Sequence, residues 1–156
     1  MPENFKQKIV IGTDHRGFLL KEFLKAHLQQ QNNIEVMDIG CFSQDSVDYP
    51  KITVDLAEKI KECQTQGQEN VRGILICGSG IGISIAANRY SFIRAALAFN
   101  KDVTLSSRTH NDCNVICLPA DYLDNTTALQ YINIFLTEKF SGGRHQARID
   151  QLSHIC

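Results

Sequence analysis

Residues 73–90, GILICGSGIGISIAANRY, contain a short apolar run, a glycine-rich turn and a helical segment of small residues. The run GILIC is typical of a β-strand that is buried on both faces of a sheet. Gly78, Gly80 and Gly82 allow a tight turn and leave backbone N–H groups uncovered at the start of the next helix. The stretch therefore predicts a strand–turn–helix unit of an α/β protein.

The same alternation continues on both sides of this unit. Apolar runs predict further strands, and segments with apolar residues three and four apart predict helices. The predicted strands cover residues 8–14, 34–40, 73–77, 93–99 and 114–120. The predicted helices cover residues 18–31, 52–63, the segment after the glycine turn, 102–108 and 125–140. This order predicts a doubly wound, Rossmann-like α/β fold, in which helices cover both faces of a five-stranded parallel sheet.

The composition indicates one globular domain. The chain has 156 residues, of which 43% are hydrophobic and 21% are charged, and these values are typical of a single folded domain. The net charge of −1 provides no long-range field that would attract nucleic acid or an anionic membrane. We therefore treat residues 1–156 as one domain and expect neither a nucleic-acid nor a membrane partner.

We expect a cytoplasmic location. The polar start MPENFKQK has no apolar segment of the kind found in signal peptides, and no run of 18 apolar residues follows it. The cysteines show no spacing typical of a disulfide framework, so free thiols in a reducing cytosol are expected. They are Cys41, Cys63, Cys77, Cys113, Cys117 and Cys156.

The glycine turn is a candidate anion-binding site, because uncovered N–H groups and the helix macrodipole both favour negative charge there. Its spacing does not fit the dinucleotide fingerprint G-x-G-x-x-G, since position 83 is Ile83 and the turn follows the third predicted strand. A Walker loop is excluded because no Gly-Lys-Ser/Thr follows. The alternative is a turn that serves packing alone.

Cys77 lies directly before the glycine turn. A thiol beside unsatisfied N–H donors at a helix N-terminus has its thiolate favoured, which is the condition for a cysteine base or nucleophile. We therefore expect its sulfur to face an open cleft, and the alternative is an inert core cysteine. Cys113 and Cys117 are four residues apart on a predicted strand, so we expect them on one face, in the core and outside any zinc site.

Polar residues flank two of the other strands. Asp14 and His15 follow the first strand, where a carboxylate beside an imidazole can share protons near neutral pH. Asp14 can equally cap the next helix. His110 and Asn111 precede the fifth strand and form either part of a site or an ordinary polar loop. Ligands of open parallel sheets bind beyond the carboxyl ends of the strands. Residues that directly follow a strand, such as Asp14, are therefore favoured as ligand-binding residues.

The segment GGRHQARIDQL (residues 142–152) gives the strongest local charge argument for an anion site. If it is helical, Arg144 and Arg148 lie one turn apart on one face. Positive charges at a helix start oppose the macrodipole, and a bound anion would remove this penalty. The alternative is a solvated terminal helix. Together with the thiol and the glycine turn, the arginines suit proton transfer next to a carbonyl on a phosphorylated substrate.

Several segments together resemble the ribose-5-phosphate isomerase B family, which includes isomerases of allose and galactose 6-phosphates. They are GTDHRGFLLKEFLKAHL, VDYP, GILICGSGIGISIAANR, IRAAL, HNDCNV and GGRHQAR, and they span nearly the whole chain in order. The resemblance implies interconversion of ribose 5-phosphate and ribulose 5-phosphate through a cis-enediolate, without a metal or other cofactor. The alternatives are the same chemistry on a six-carbon sugar phosphate and a non-catalytic sugar-phosphate binding protein.

The resemblance also implies roles for individual residues. Cys77 is the catalytic base that moves a proton between C1 and C2, and His110 is the catalytic acid–base that opens the furanose ring. His15 and the two arginines bind the phosphate. The full set of expected substrate-binding residues is Asp14, His15, Tyr49, Gly78, Ser79, Gly80, Ile81, Gly82, Asn111, Arg144 and Arg148.

The same resemblance implies a homodimer, with a tetramer as the alternative, whose site is shared between subunits. His110 and Asn111 are then expected to reach the site from the neighbouring subunit. The C-terminal arm, residues 141–156, is expected to lie at the subunit interface.

One segment departs from the family pattern. Where the family commonly has an arginine after the fifth strand, this chain has Pro119-Ala120-Asp121. An aspartate there would repel a phosphate, and a lost charge-assisted hydrogen bond costs about 1.5–3 kcal/mol unless another cation compensates. Arg108 and Lys101 are the candidate cations.

Overall fold

Five parallel strands form one sheet within residues 6–155, the part of the chain that the computed structural model describes. The strands are β1 (Gln7–Thr13), β2 (Ile34–Asp38), β3 (Val71–Cys77), β4 (Ala95–Leu97) and β5 (Val115–Pro119). Their order in the sheet is β2-β1-β3-β5-β4, and every neighbouring pair is parallel. The predicted five-stranded parallel sheet is confirmed.

Helices cover both faces of this sheet. They are α1 (Phe18–Gln29), α2 (Tyr49–Thr65), α3 (Ile81–Ala87), α4 (Lys101–Thr109), α5 (Asn125–Thr137) and α6 (Arg144–Leu152). Short 3₁₀ turns follow β1 at His15–Gly17 and β5 at Ala120–Tyr122. Because α1 and α5 pack on one face and α2 and α3 on the other, the doubly wound class is confirmed. None of the helices between residues 6 and 155 combines the length and apolar character that a membrane span requires.

Two apolar layers hold the helices on the sheet. Side chains alternate along a strand, so Ile74 and Ile76 of β3 face α1 and α5, whereas Leu75 and Cys77 face α2 and α3. Full burial of an aliphatic side chain of this size contributes about 1.5–3 kcal/mol. The alternation therefore ends β3 with the Cys77 sulfur on the side of α3, the helix that begins at the glycine turn.

Cys113 and Cys117 are both buried, as predicted, but they pack in different layers. Cys113 precedes β5 and does not follow the alternation of that strand, so the prediction that the two thiols share one face was wrong. Burial raises the pKa of Cys113 to about 11 and also raises the pKa of Cys117. Among the described residues all cysteines are free thiols; Cys156 lies outside the described range.

The face of α1 that packs on the sheet includes a buried charge. Lys21 is fully buried, and its Nζ donates to both carboxylate oxygens of Asp38 at 2.8 Å and to the Cys41 carbonyl at 2.7 Å. Lys25 Nζ donates to the same carboxylate at 2.9 Å. Burial acts to raise the pKa of Asp38, but the two ammonium groups and the Gly40 N–H outweigh it and lower the pKa. The network fixes the loop after β2 to α1.

Replacing Lys21 with methionine is expected to lower the free energy of unfolding by about 3 kcal/mol, because removing one partner of a buried ion pair leaves the other without its main counter-charge. Urea unfolding followed by circular dichroism measures this loss. The matched control is Lys25→Met, whose ammonium is partly exposed and whose loss is expected to be about 1 kcal/mol or less. Equal losses in the two variants would contradict a dominant role for the buried ammonium.

Candidate active site

The direction of strand order reverses at β1, and ligands of open parallel sheets bind at such a reversal. β2 lies on one side of β1 and β3 on the other. The Ile76 carbonyl accepts from the Thr13 hydroxyl at 3.0 Å and from the Asp14 N–H at 3.1 Å. Gly17 permits this approach, since a Cβ there would lie 2.3 Å from Thr13 Oγ1. Asp14 and Cys77 therefore end adjacent strands at the crevice.

The glycine turn wraps around the sulfur of Cys77. The Gly80 N–H donates to Cys77 Sγ at 3.1 Å. Gly80 has a φ of +72°, and a Cβ there would lie 2.4 Å from Leu97 Cδ1, so a larger residue would be strained and would clash with β4. Ser79 Oγ accepts from the Ile81 N–H at 3.2 Å, where α3 begins. The turn thus places backbone donors and a thiol in one location.

The thiol itself is buried, since Cys77 is only 4% exposed. Burial is the largest influence on its pKa and raises it; N–H groups of Ile83 and Gly80 act in the opposite direction without offsetting burial. The negative charge of Asp14 raises the pKa further. The expectation of an open sulfur with a favoured thiolate was therefore wrong, because desolvation outweighs the helix N-terminus here.

Three other predicted residues lie around the same crevice. Asp14 caps the first 3₁₀ turn, and its Oδ1 accepts from the backbone N–H two residues later at 2.9 Å. His15 Nδ1 accepts from the Val47 N–H at 3.3 Å. The Tyr49 ring, at the start of α2, lies against Gly82, where a Cβ would be 2.6 Å from Tyr49 Cζ. We call Asp14, His15, Tyr49, Cys77 and residues 78–82 the thiol half-site.

A second group of residues surrounds His110, and it includes the predicted Asn111 and Arg148. His110 follows α4, and its ring stacks on His145 of α6 with centroids 4.4 Å apart and planes 14° apart. Desolvation and the charges of His110, Arg144 and Arg148 lower the pKa of His145. A cavity of about 290 Å³ opens beside the two rings. Its lining, which we call the histidine half-site, is His110, Asn111, His145, Arg148, Ile149 and Leu152.

Within one chain, the two half-sites lie at opposite ends of the parallel strands. Where β3 pairs with β5, Cys77 is opposite Pro119 at the carboxyl end, and Gly73 is opposite Val115 at the amino end. The segment after His110 enters β5 at this amino end. Four residues of strand, about 13 Å, separate the two ends. The structure therefore assembles each half-site, but a single chain does not bring them together.

The predicted C-terminal helix is confirmed as α6, which begins at Arg144 and contains no buried residue. Both of its arginines are exposed to solvent. Arg148 lines the histidine half-site, and Arg144 lies one turn earlier on the same helix. The two cations therefore lie beside His145 and away from the thiol half-site of their own chain.

The cation that faces Asp121 is Arg16, and the two side chains form an ion pair. Arg108, one of the expected candidates, is buried and donates to the Cys113 carbonyl at 2.6 Å. Arg108 therefore lies at the end of the sheet where β5 begins, away from Asp121. The expectation that its positive charge compensates the charge of Asp121 was wrong. No role was predicted for Arg16 or His145, although they lie inside the segments DHRG and GGRHQAR.

The groups of the two half-sites suit proton transfer and anion binding. The thiol half-site combines a group that can accept a proton with backbone N–H donors, and the histidine half-site combines imidazoles with a guanidinium. These are the components of acid–base chemistry on an anionic organic molecule. Within residues 6–155, no three His, Cys, Asp or Glu side chains are grouped so that they could hold a metal ion.

Comparison with known proteins assigns the family. The model of a family described as Ribose/Galactose Isomerase matches residues 9–152. The chain belongs to this family. Among its relatives in the ribose/galactose isomerase family, the ribose-5-phosphate isomerase B of Escherichia coli (strain K12) is 37% identical over 149 residues, which cover 96% of each chain.

Solved structures of ribose-5-phosphate isomerases have the same fold as this member of the ribose/galactose isomerase family. The protein from Thermotoga maritima matches with a TM-score of 0.86 and 40% identity over 95% of this chain and 98% of that chain. The protein from Mycoplasma genitalium, solved with bound ribulose-5-phosphate, matches with a TM-score of 0.86 and 33% identity over 94% of each chain. The resemblance found in the sequence is confirmed.

In this ribose/galactose isomerase family member, Asp14→Asn is expected to lower the pKa of the Cys77 thiol. The reason is that the Asp14 charge raises that pKa, while asparagine retains the capping oxygen. The pH dependence of Cys77 alkylation by iodoacetamide, followed by peptide mass spectrometry, measures the shift. Asp55→Asn on α2 is the control and should leave the profile in place. A profile that moves to higher pH in Asp14→Asn would contradict the electrostatic account.

Proposed function

We propose that this protein interconverts D-ribose 5-phosphate and D-ribulose 5-phosphate. The observation that carries the proposal is the 3.1 Å hydrogen bond from the Gly80 N–H to Cys77 Sγ at the reversal of strand order, because it holds a proton-transfer group and backbone donors in one place. The relative from Escherichia coli is a ribose-5-phosphate isomerase B, and its similarity along the whole chain supports the choice of a five-carbon sugar phosphate.

Cys77 acts as the base on the open-chain sugar. Its thiolate takes the C2 proton of ribose 5-phosphate; the electrons of that C–H bond form the C1=C2 bond of a cis-enediolate, while the π electrons of the C1=O bond move to O1. The sulfur then returns a proton to C1 while the hydroxyl proton moves from O2 to O1, which gives the ketose. The raised pKa of Cys77 leaves little thiolate at neutral pH, but it makes that thiolate a stronger base toward a weakly acidic C–H bond.

The glycine turn stabilises the charge that develops on the two enediolate oxygens. The backbone N–H groups of Ser79, Gly80 and Ile83 lie beside the sulfur at the N-terminus of α3, and the same turn carries the Ser79 hydroxyl. A preorganised donor of this kind contributes about 2.7–4 kcal/mol to the transition state. Tyr49, whose ring lies against Gly82, forms the adjoining wall for the sugar.

The complete site is formed by two chains of a homodimer, with a tetramer as the larger alternative. The sheet separates the two half-sites within one chain, so the histidine half-site must come from a partner subunit. Exposed apolar side chains flank each half-site, as an interface requires. Ile81 and Ile85 lie one turn apart on α3 beside the thiol half-site, and Leu152 and Ile155 extend from the histidine half-site. The C-terminal arm then lies at the interface.

In this dimer, His110 opens the furanose ring by transferring a proton between O1 and the ring oxygen. Asn111 binds sugar hydroxyls, and Asp14 from the other subunit assists the ring opening. Arg144 and Arg148 bind the phosphate together with His15 of the thiol half-site. The lowered pKa of His145 favours the neutral form of the ring that stacks on His110. The chemistry uses no metal or organic cofactor.

Incubation of the purified protein with ribose 5-phosphate tests this proposal. We expect ribulose 5-phosphate to form, the reverse reaction to proceed, and EDTA to leave the rate unchanged. Allose 6-phosphate and galactose 6-phosphate, assayed in parallel, should react more slowly. If either reacted faster, the proposed substrate would be that six-carbon sugar phosphate and not ribose 5-phosphate. Binding of ribose 5-phosphate without turnover would overturn the enzyme proposal in favour of a binding protein.

A further inference from the structure

The ion pair of Arg16 and Asp121 packs against Gly78, the first residue of the glycine turn. Arg16 belongs to the 3₁₀ turn after β1, and Asp121 belongs to the 3₁₀ turn after β5. Arg16 Nη2 pairs with Asp121 Oδ2, and the Asp121 N–H donates to the Gly78 carbonyl at 3.0 Å. The pair therefore joins the segments after β1, β3 and β5 at the carboxyl edge of the sheet.

Both charged groups approach the backbone of Gly78 closely. A Cβ at this position would lie 2.8 Å from Arg16 Nε and 2.9 Å from Asp121 Oδ2. Gly78 directly follows Cys77, the proposed base. The guanidinium is therefore fixed at the rim of the thiol half-site, and the glycine provides the space that it occupies.

Arg16 retains donors for a second partner. Its side chain is 57% exposed, whereas that of Asp121 is 33% exposed. The contact with Asp121 uses Nη2, and within residues 6–155 no protein acceptor is bonded to Nε or Nη1. The segments after β1, β3 and β5, residues 14–17, 78–80 and 120–124, contain no other lysine or arginine. Arg16 is thus the guanidinium that this half-site offers to an anionic substrate.

We propose that Arg16 is a substrate-binding residue that contacts the phosphate of the sugar phosphate, and that Asp121 positions its guanidinium over Gly78 and weakens its attraction for the phosphate. This inference rests on the proposed function, because it takes the bound anion to be the phosphate of the substrate. A guanidinium presents its donors along more than one edge. One edge binds Asp121, and the other is available to a phosphate oxygen.

The charges make the two residues act in opposite directions. An approaching phosphate is attracted by Arg16 and repelled by Asp121. Removal of the Asp121 charge therefore strengthens phosphate binding, whereas removal of Arg16 leaves a carboxylate that faces the phosphate and weakens binding. A salt bridge with only a structural role would give effects of the same sign for both residues.

The test is to measure KM for ribose 5-phosphate, kcat, and the inhibition constant of inorganic phosphate in Arg16→Ala and Asp121→Asn. Loss of Arg16 is expected to raise KM and the phosphate inhibition constant about tenfold or more, the effect of losing a charge-assisted hydrogen bond. Asp121→Asn is expected to lower both constants. In both variants kcat should stay close to the parent value, since neither residue contacts the reacting carbons.

The matched control is the exposed ion pair of Lys59 and Glu62 on α2, where Lys59→Ala should change none of these constants. An unchanged KM in Arg16→Ala would overturn the inference, and so would a raised KM in Asp121→Asn. Absence of turnover in the parent protein would refute the proposed function instead. Calorimetry with inorganic phosphate would then still decide the role of Arg16, because only an anion contact makes the two variants shift affinity in opposite directions.

Discussion

Replacement of Cys77 with alanine is expected to lower kcat for ribose 5-phosphate isomerisation about 10²–10⁴-fold, the contribution of a well-placed general base. The sulfur lies among the N–H donors of the glycine turn, so its removal takes away the proton acceptor while the donors remain. KM should change little, because the thiol acts on the reacting carbons and makes no contact with the phosphate. Steady-state kinetics with saturating substrate measure the loss.

The control for this variant is Cys117→Ala. Cys117 is a fully buried thiol on the neighbouring strand β5 and packs in the same layer as Cys77. Its removal tests whether loss of a core sulfur alone lowers the rate, and we expect kcat to remain near the parent value. If Cys77→Ala were as active as the parent, the assignment of the base would be wrong.

The combined substitution Arg144→Ala and Arg148→Ala is expected to raise KM for ribose 5-phosphate about 10²-fold or more. Each guanidinium supplies a charge-assisted contact to the phosphate worth about 1.5–3 kcal/mol. Both side chains are exposed on α6, a helix with no buried residue, so their removal leaves the core intact. Initial rates over a wide substrate range separate the effect on KM from any effect on kcat.

Gln151→Ala on the same helix controls for a general disturbance of α6. Gln151 is exposed and its side chain donates to a backbone carbonyl one turn earlier. We expect its KM to match that of the parent. If KM were unchanged in the double arginine variant as well, α6 would be an ordinary solvated helix with no contact to substrate.

The fold could be predicted from local sequence pattern because each element carries its own signal. The apolar run before Cys77 and the glycines after it specify strand, turn and helix without reference to the rest of the chain. Five strands, each followed by a helix, leave few topologies open, since the crossovers between parallel strands are right-handed. The boundaries observed for β3 and α2 extend the predicted ones by two or three residues at their N-termini.

The positions of the candidate site residues in the fold could largely be predicted from the sequence, but their environment could not. Cys77 lies at the predicted position, yet the depth of its burial depends on how α2 and α3 pack over β3. That packing raises the pKa of the thiol, opposite to the expected effect of a helix N-terminus. A local pattern reports which donors are near a group and not how much solvent the fold removes from it.

Ion pairs between distant segments were the hardest features to anticipate. The pairing of Lys21 with Asp38, and that of Arg16 with Asp121 across 105 positions, depend on which strands become neighbours. The stack of His110 on His145 likewise joins two helices that are separate in sequence. Composition supplies many possible partners for each charge, and only the tertiary arrangement selects one.

The proposed shared site is tested most directly by the activity of dimers formed from two inactive variants. Cys77→Ala subunits retain His110, and His110→Ala subunits retain Cys77, so each mixed dimer of this pair contains one site with both groups intact. Because the two sites of a symmetric dimer are equivalent, random mixing should restore about a quarter of the parent activity. Verified mixed dimers that are no more active than the Cys77→Ala and His110→Ala homodimers would show that Cys77 and His110 do not act together across a subunit interface.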